Sequence, residues 1–269
     1  MTGNLDSEDH FCRTMCGQAD VIVVSVLYRK FPAIRFPDNL QDCYDGFLWV
    51  RRCPGLQTMP VTLPSIPGLY LQHLQAYEHA SDLQANPRQF LAMGGSAGGA
   101  LAIVTVHKLI LAGHRERVSG LLTLASAHIH RSAVPSQYQH LHTSMEENSG
   151  PIPFVTDEMA LRVYDLLGAN PPYDDESKHW FPVSMGVEGV EDFPPTWIID
   201  CEKDCLRDDG RVLLAEMEEA GLNVKREVVP GMPHYYWSFP VQKAAADFRE
   251  RLLGGLRWVL DCEGEGEGK

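Results

Sequence analysis

The chain has 269 residues, 44% of them hydrophobic, and a net charge of −13. That length suits one large α/β domain with a full core, or two small ones, and the acidity argues against nucleic acid or an anionic membrane surface as partner. No apolar run reaches the length of a membrane span and no basic-then-apolar leader opens the chain, so the expected compartment is the cytoplasm, with all seven cysteines as reduced thiols.

Residues 4–18 read as a helix, with Asp6 or Ser7 as N-cap and Glu8 and Asp9 in the first turn. Val21 to Val26 is a β-branched run, expected as a parallel strand buried on both faces. After Pro32 and Pro37, residues 38–50 read as an amphipathic helix. Residues 51–68 break the alternation, because Pro54, Pro60, Pro64 and Pro67 rule out a long helix. Leu69 to Leu83 has helical spacing. Phe90 to Met93 reads as a strand, Ala97 to Leu111 as a helix and Val118 to Leu124 as a strand.

Residues 128–185 are rich in His, Pro and aromatics and hold one helix, Thr156 to Leu167, opened by Thr156-Asp157-Glu158. Thr196 to Asp200 is a strand, Asp208 to Ala220 a helix stopped by Gly221, Lys225 to Val229 a strand, and 241–260 a last amphipathic helix. The Glu-Gly tail, 263–269, is expected to be disordered. This alternation predicts an α/β fold with a mostly parallel open sheet flanked by helices. The expected organisation is one domain over 1–262, with 51–76 as an irregular insertion and 128–185 as a cap or substrate-lining insertion.

The chemistry centres on Gly94-Gly95-Ser96-Ala97-Gly98-Gly99, between a strand and a helix. This is the layout of a nucleophile elbow: a sharp turn with Ser at its apex and a helix N-terminus aimed at it. A Gly-rich turn that merely packs closely, or cradles a phosphate, has the same composition. Two later stretches favour the elbow. Asp204 follows one strand within Asp200 to Gly210, and His234 follows the next within Pro230-Gly231-Met232-Pro233-His234. In an open α/β sheet, functional groups gather at the carboxyl ends of strands. The pattern suits Ser96 as nucleophile, His234 as base and Asp204 as the group that orients it. Taken singly, Asp204 or Asp208 could be a helix cap and His234 a surface residue. The pairs His128/His130 and His140/His142, and Cys12 with Cys16, have no partner at metal-ligand spacing, so no metal site is expected.

The chain resembles the hormone-sensitive-lipase branch of the α/β-hydrolases. The matching segments are Tyr28-Arg29, Phe36-Pro37, Asp42-Cys43-Tyr44, Gly94 through Gly99, Pro194-Pro195-Thr196, Asp204 through Gly210, and Gly231 through His234. The segments Ala133 to Tyr138 and His234 to Phe239 are most similar to fungal esterases of secondary metabolism, a group that includes versiconal hemiacetal acetate esterases. The resemblance implies a cofactor-free hydrolase of small, acetyl-type carboxylic esters. It implies Ser96, Asp204 and His234 as catalytic triad and the Ala97 N–H as oxyanion donor. Gly95, Tyr235, Tyr138 and Trp180 are candidate substrate-binding residues, with Phe154 and Met159 as further candidates for the lining; ordinary core packing is the competing reading for the cap residues. The partner is a small-molecule ester, and the oligomeric state is left open.

The departures carry expectations of their own. The branch has a His-Gly-Gly-Gly motif shortly before a Gly that aligns with Gly3, and this sequence starts at Met1 without it. That motif supplies most oxyanion donors. Losing one such donor typically costs about 10²–10³ in kcat, so weak hydrolysis is expected. The branch's N-terminal strands would also lie upstream, and the expectation is a truncated product or incomplete gene model. The Val21–Val26 strand then either closes against the Phe90 strand or leaves an open apolar edge. Residues 51–76 are either a retained intron or a lid or surface loop. Cys205, Glu202 and Tyr235-Tyr236 stand where the branch usually has Pro, Gly and Gly-Phe. Two other readings remain: a non-hydrolytic or catalytically impaired descendant that binds a natural product or a protein, and a pathway enzyme using Ser96 and His234 for lactonisation, elimination or cyclisation. The presence of His234 speaks against a pure binding module.

Overall fold

The structure, a computed structural model, describes residues 4–30, 32–34, 37–51, 89–150, 155–167, 172–175, 177–181 and 186–264. Within them, four parallel strands form one sheet in chain order: β1 (Leu91–Gly95), β2 (Gly120–Leu124), β3 (Thr196–Cys201) and β4 (Val224–Val229). Leu91 pairs with Gly120, Leu121 with Thr196, and Thr196 with Val224. The central strands β2 and β3 are buried throughout, as expected of strands whose Leu121-Leu122 and Trp197-Ile198-Ile199 runs send apolar side chains to both faces.

Helices cover the two faces, and the two-residue period of the strands decides which side chain meets which layer. On one face, Leu122, Trp197 and Ile199 pack against α1 (Asp9–Ala19) and α7 (Gln242–Gly264) through Phe11, Met15, Phe248, Leu252 and Leu256. On the other, Leu121 and Ile198 pack against α3 (Ala97–Leu111) and α6 (Arg207–Glu219) through Ile103, Val106, Leu109, Leu213 and Met217. Helix α2 (Asp38–Arg51) adds Tyr44, Phe47 and Leu48 to that second layer. Arg29 ties the preceding segment to α2, its backbone N–H and guanidinium both donating to Asp42, with Nη2–Oδ1 at 2.9 Å. Between β2 and β3 lie the short helix α4 (Ser144–Glu147), α5 (Asp157–Leu167) and several 3-10 turns. No helix among the described residues is long and apolar enough to cross a membrane.

Three expectations are corrected. Helix α1 begins at Asp9 with Glu8 at its N-cap position, not at residue 4 with Asp6 or Ser7. Asn4 and Ser7 use their polar groups on each other, the Asn4 N–H donating to Ser7 Oγ and the Asp6 N–H to Asn4 Oδ1, so a turn forms where the helix was expected. The Val21–Val26 run forms no strand and pairs with none among the described residues. Val21 and Val23 pack on the α1/α7 core, while Ile22, Val24 and Val26 are exposed. A strand buried on both faces needs two covering layers, and here the second is reduced to Val26 lying against Gly46 of α2. Finally, Glu263 and Gly264, expected in a disordered tail, form the end of α7, since no proline or left-handed turn stops that helix earlier. The expected helix over 69–83 and residues 52–76 of the irregular insertion lie outside the described residues, as does Phe154.

Candidate active site

Strand β1 runs directly into Ser96, whose backbone sits at φ 51 and ψ −123, and α3 starts at the next residue. Positive φ is costly for a residue with a side chain and is held only where the surroundings over-determine it. Here the Ser96 N–H donates to Leu124 O (2.9 Å), and Ser96 O accepts from the N–H groups of Gly99 (2.9 Å) and Ala127 (3.1 Å). Gly94 makes the turn possible, because a Cβ there would run into the Gly98 carbonyl. Ala97 is the first residue of α3, so its N–H has no acceptor within the helix.

Asp204 lies in the turn after β3 and is 1% exposed; His234 lies in the loop after β4 and is 3% exposed. The two loops are stitched together. The Lys203 N–H donates to Met232 O (2.9 Å), the Glu202 N–H to Val229 O (3.0 Å), and the Gly231 N–H to Glu202 Oε2 (2.7 Å). Asn148 reaches in from the segment after β2 and donates to the carbonyls of Glu202 (3.0 Å) and Asp204 (2.9 Å). The result is a line of three side chains: Asp204 Oδ2 to His234 Nδ1 at 2.6 Å, and His234 Nε2 to Ser96 Oγ at 3.1 Å. A carboxylate beside Nδ1 holds the proton there, which leaves Nε2 as acceptor toward the serine hydroxyl. Such a line can deprotonate a serine as it attacks an electrophilic carbon.

The start of α6 fastens the segment between β2 and β3 to this site. Asp209 Oδ2 accepts from the N–H groups of His128 (3.1 Å) and Ile129 (3.2 Å), and its Oδ1 faces His142 Nε2 at 3.0 Å. Asp208 Oδ2 accepts from the N–H groups of Thr143 (2.9 Å) and Ser144 (2.7 Å) and pairs with Arg207. Burial alone would lower the His142 pKa, but the hydrogen bond and charge of Asp209, with Asp208 and Glu146, raise it above the ordinary value. Burial likewise opposes ionised Asp208, yet Arg207 and the Thr143 and Ser144 N–H groups hold its carboxyl below the usual range. His128 is buried without a side-chain partner among the described residues, and burial depresses its pKa despite Asp209. At the end of β3, burial pushes the Asp200 carboxyl up to about 7 against the pull of Arg226.

The structure thus brings Ser96, Asp204 and His234 together and sets Ala97, Gly95 and Tyr235 beside them. Tyr235 follows His234 at φ 55, and the two ring centroids are 5.3 Å apart. Tyr138 and Trp180 sit in a different apolar cluster, with Tyr164 and Phe181, and the Tyr138 hydroxyl donates to Glu219 on α6. Met159 is on an exposed face of α5. Sequence reasoning treated Asp208 only as a possible cap and gave Asp209 no role. An Asp-Asp pair at the first turn of a helix after a strand is the signal that could have marked both as acceptors for a neighbouring loop. Among the described residues, no group of three or more His, Cys, Asp or Glu side chains could hold a metal ion.

A profile of the alpha/beta hydrolase fold matches residues 1–238. The chain is 30% identical over 261 residues to a versiconal hemiacetal acetate esterase of Dothistroma septosporum, covering 97% of this chain and 70% of that protein. It is 32% identical over 260 residues to an FAD-linked oxidoreductase of Aspergillus terreus, covering 96% of this chain but 28% of that much longer protein. Among solved structures it is similar to vibralactone cyclase, with a TM-score of 0.76 at 25% identity, covering 96% of this chain and 67% of the cyclase.

Proposed function

Given that the chain belongs to the alpha/beta hydrolase fold family, we propose that it is a serine-dependent carboxylic-ester hydrolase for small acyl, acetyl-type esters of fungal secondary metabolism. The observation that carries this reading is the unbroken line Asp204–His234–Ser96 at the carboxyl ends of three strands. Ser96 Oγ attacks the ester carbonyl while His234 Nε2 takes its proton. The negative oxygen of the tetrahedral intermediate lies toward the Ala97 N–H at the start of α3, where the helix dipole favours negative charge. His234 then protonates the leaving alcohol, which departs and leaves Ser96 acylated. A water molecule, deprotonated by the same nitrogen, attacks the acyl carbon and releases the acid and free Ser96. Asp204 keeps the Nδ1 proton in place and stabilises the imidazolium of each half-reaction. The acetyl-type substrate is supported by the esterase relative from Dothistroma septosporum.

A second reading shares every step up to the acyl-enzyme. The likeness to vibralactone cyclase favours capture of the acyl group by a hydroxyl of the substrate itself, which yields a lactone in place of an acid. One experiment separates the readings: incubate the chain and its Ser96→Ala variant with a short-chain chromogenic ester and with a hydroxy-ester, and identify the products. Serine-dependent release of acid supports hydrolysis, and serine-dependent lactone supports cyclisation. Equal behaviour of the two folded proteins overturns both.

A further inference from the structure

Gly95 immediately precedes Ser96, and Tyr235 immediately follows His234. These two neighbours touch. A Cβ built on Gly95 would collide with the Tyr235 hydroxyl and, behind it, with the Cζ atom of the ring. The phenol therefore occupies the space that any side chain at position 95 would claim. Tyr235 reaches it from a left-handed backbone, φ 55, which a residue with a side chain adopts only when its surroundings impose it. Its ring is held on the far side by Trp237, at 4.5 Å between centroids. Trp237 in turn stacks on Phe248 of α7 at 3.9 Å and 11°. Burial, with Glu8 and Tyr28 adding to it, raises the phenol pKa, so the hydroxyl stays neutral as it sits against the elbow.

We propose that Tyr235 is a positioning residue: its hydroxyl end, seated in the space left by Gly95, braces the backbone before Ser96 against the backbone after His234 and so sets the Ser96 Oγ to His234 Nε2 separation. The brace rests on the reading of Ser96 and His234 as nucleophile and base. Its force comes from geometry. The two catalytic loops belong to strands at opposite edges of the described sheet, β1 and β4. A rigid aromatic anchored in the α7 layer can fix their spacing where a glycine at position 235 could not. Sub-ångström placement matters here, since a misplacement of about 1 Å can cost about 10²-fold in rate.

The test is a swap in the full chain, read by hydrolysis of p-nitrophenyl acetate and by the rate at which a fluorophosphonate probe labels Ser96. Gly95→Ala drives a methyl into the hydroxyl's place, so kcat and labelling should fall about 100-fold while KM stays within about threefold. Adding Tyr235→Gly removes both colliding atoms, the oxygen and Cζ, and should bring kcat back to that of Tyr235→Gly alone, a coupling that independent sites would not show. Tyr235→Gly suits the positive φ and folds without strain, but lacks the brace. Its kcat should fall about tenfold or more with KM little changed, even where Gly95→Ala is too unstable to assay. Wild-type kcat in Tyr235→Gly, or effects of Gly95→Ala and Tyr235→Gly that simply multiply, overturns the brace while leaving the hydrolase reading intact. A parent chain that is folded yet neither labels nor turns over overturns the hydrolase reading and the brace with it.

Discussion

Asp204 offers its two carboxylate oxygens to two different donors: Oδ1 accepts from the Leu206 N–H at 3.0 Å, and Oδ2 lies 2.6 Å from His234 Nδ1. This division makes Asp204→Asn a sharp test. The Leu206 N–H selects the amide oxygen, so the amide NH2 is forced toward His234 Nδ1. That nitrogen must then accept, which moves the ring proton to Nε2 and leaves nothing to take the Ser96 proton. Substitution of this kind in a serine triad costs about 10⁴-fold in kcat, and the same order is expected here, with an unchanged far-ultraviolet circular dichroism spectrum as the check on folding. A variant within a few-fold of the parent would contradict the role given to Asp204.

The ends of the strands were legible because their signals are local. Each apolar run stops at a turn residue, and Ser96, Asp204 and His234 each follow such a stop within a few positions. The helix start at Ala97 was legible from the small residues beyond the serine. What was not legible depends on contacts far apart in the chain. The Val21–Val26 run has the composition of a buried strand, yet only the packed structure shows that Val21 and Val23 pack into the core while Ile22, Val24 and Val26 stay exposed. The reach of Asp209 to the N–H of His128 spans 81 positions. The meeting of Gly95 with Tyr235 joins two motifs that were read separately, and nothing in either motif announces the other.

Removing the carboxylate of Asp209 should loosen the whole segment after β2. It leaves the buried N–H groups of His128 and Ile129 without an acceptor and deprives His142 of its partner. Breaking a buried charge pair by deleting one member typically costs about 3–5 kcal/mol. Asp209→Ala is therefore expected to lower Tm by several degrees or more, since about 2–4 °C accompanies each kcal/mol in a chain of this size. Asp209→Asn, which keeps one acceptor, should lose less. Calorimetry of the three proteins checks the order, and Asp209→Ala melting with the parent would refute it.

The partly buried Glu8 carries a pH signature. Burial pushes its carboxyl up to about 7 in the folded chain, against an ordinary value of about 4.3 when unfolded. Between those values the native state holds a proton that the unfolded state has released, so stability falls as pH rises. The favourable contribution is complete below the unfolded value and is lost as pH passes through about 7. Asp200, also raised to about 7 by burial, acts with the same sign. His107, His128 and His130, whose pKa values burial lowers, pull the other way, so the readout is a difference between two proteins: the Tm of Glu8→Gln minus that of the parent should rise between about pH 5 and 8. A difference that stays flat or falls over this range would show that the sign is wrong.

The aromatic stack beneath the His234 loop gives the last prediction. Phe248 of α7 lies flat against Trp237 at 3.9 Å and meets Phe11 of α1 edge-on at 4.8 Å, with all three side chains buried. It therefore joins the last helix, the first helix and the loop that carries His234 in one contact. Phe→Ala at such a core position costs about 3–5 kcal/mol, from lost transfer energy and the cavity left behind. Phe248→Leu keeps most of the volume but not the flat ring, and should cost well under half of that. The two variants should also separate stability from activity. Below its melting range, Phe248→Leu should label with a fluorophosphonate at close to the parent rate if filled volume alone supports the loop. It should label several-fold more slowly if the stacked plane orients Trp237, and through it Tyr235. A Phe248→Ala variant that melts with the parent would remove this stack from the forces that hold the His234 loop in place.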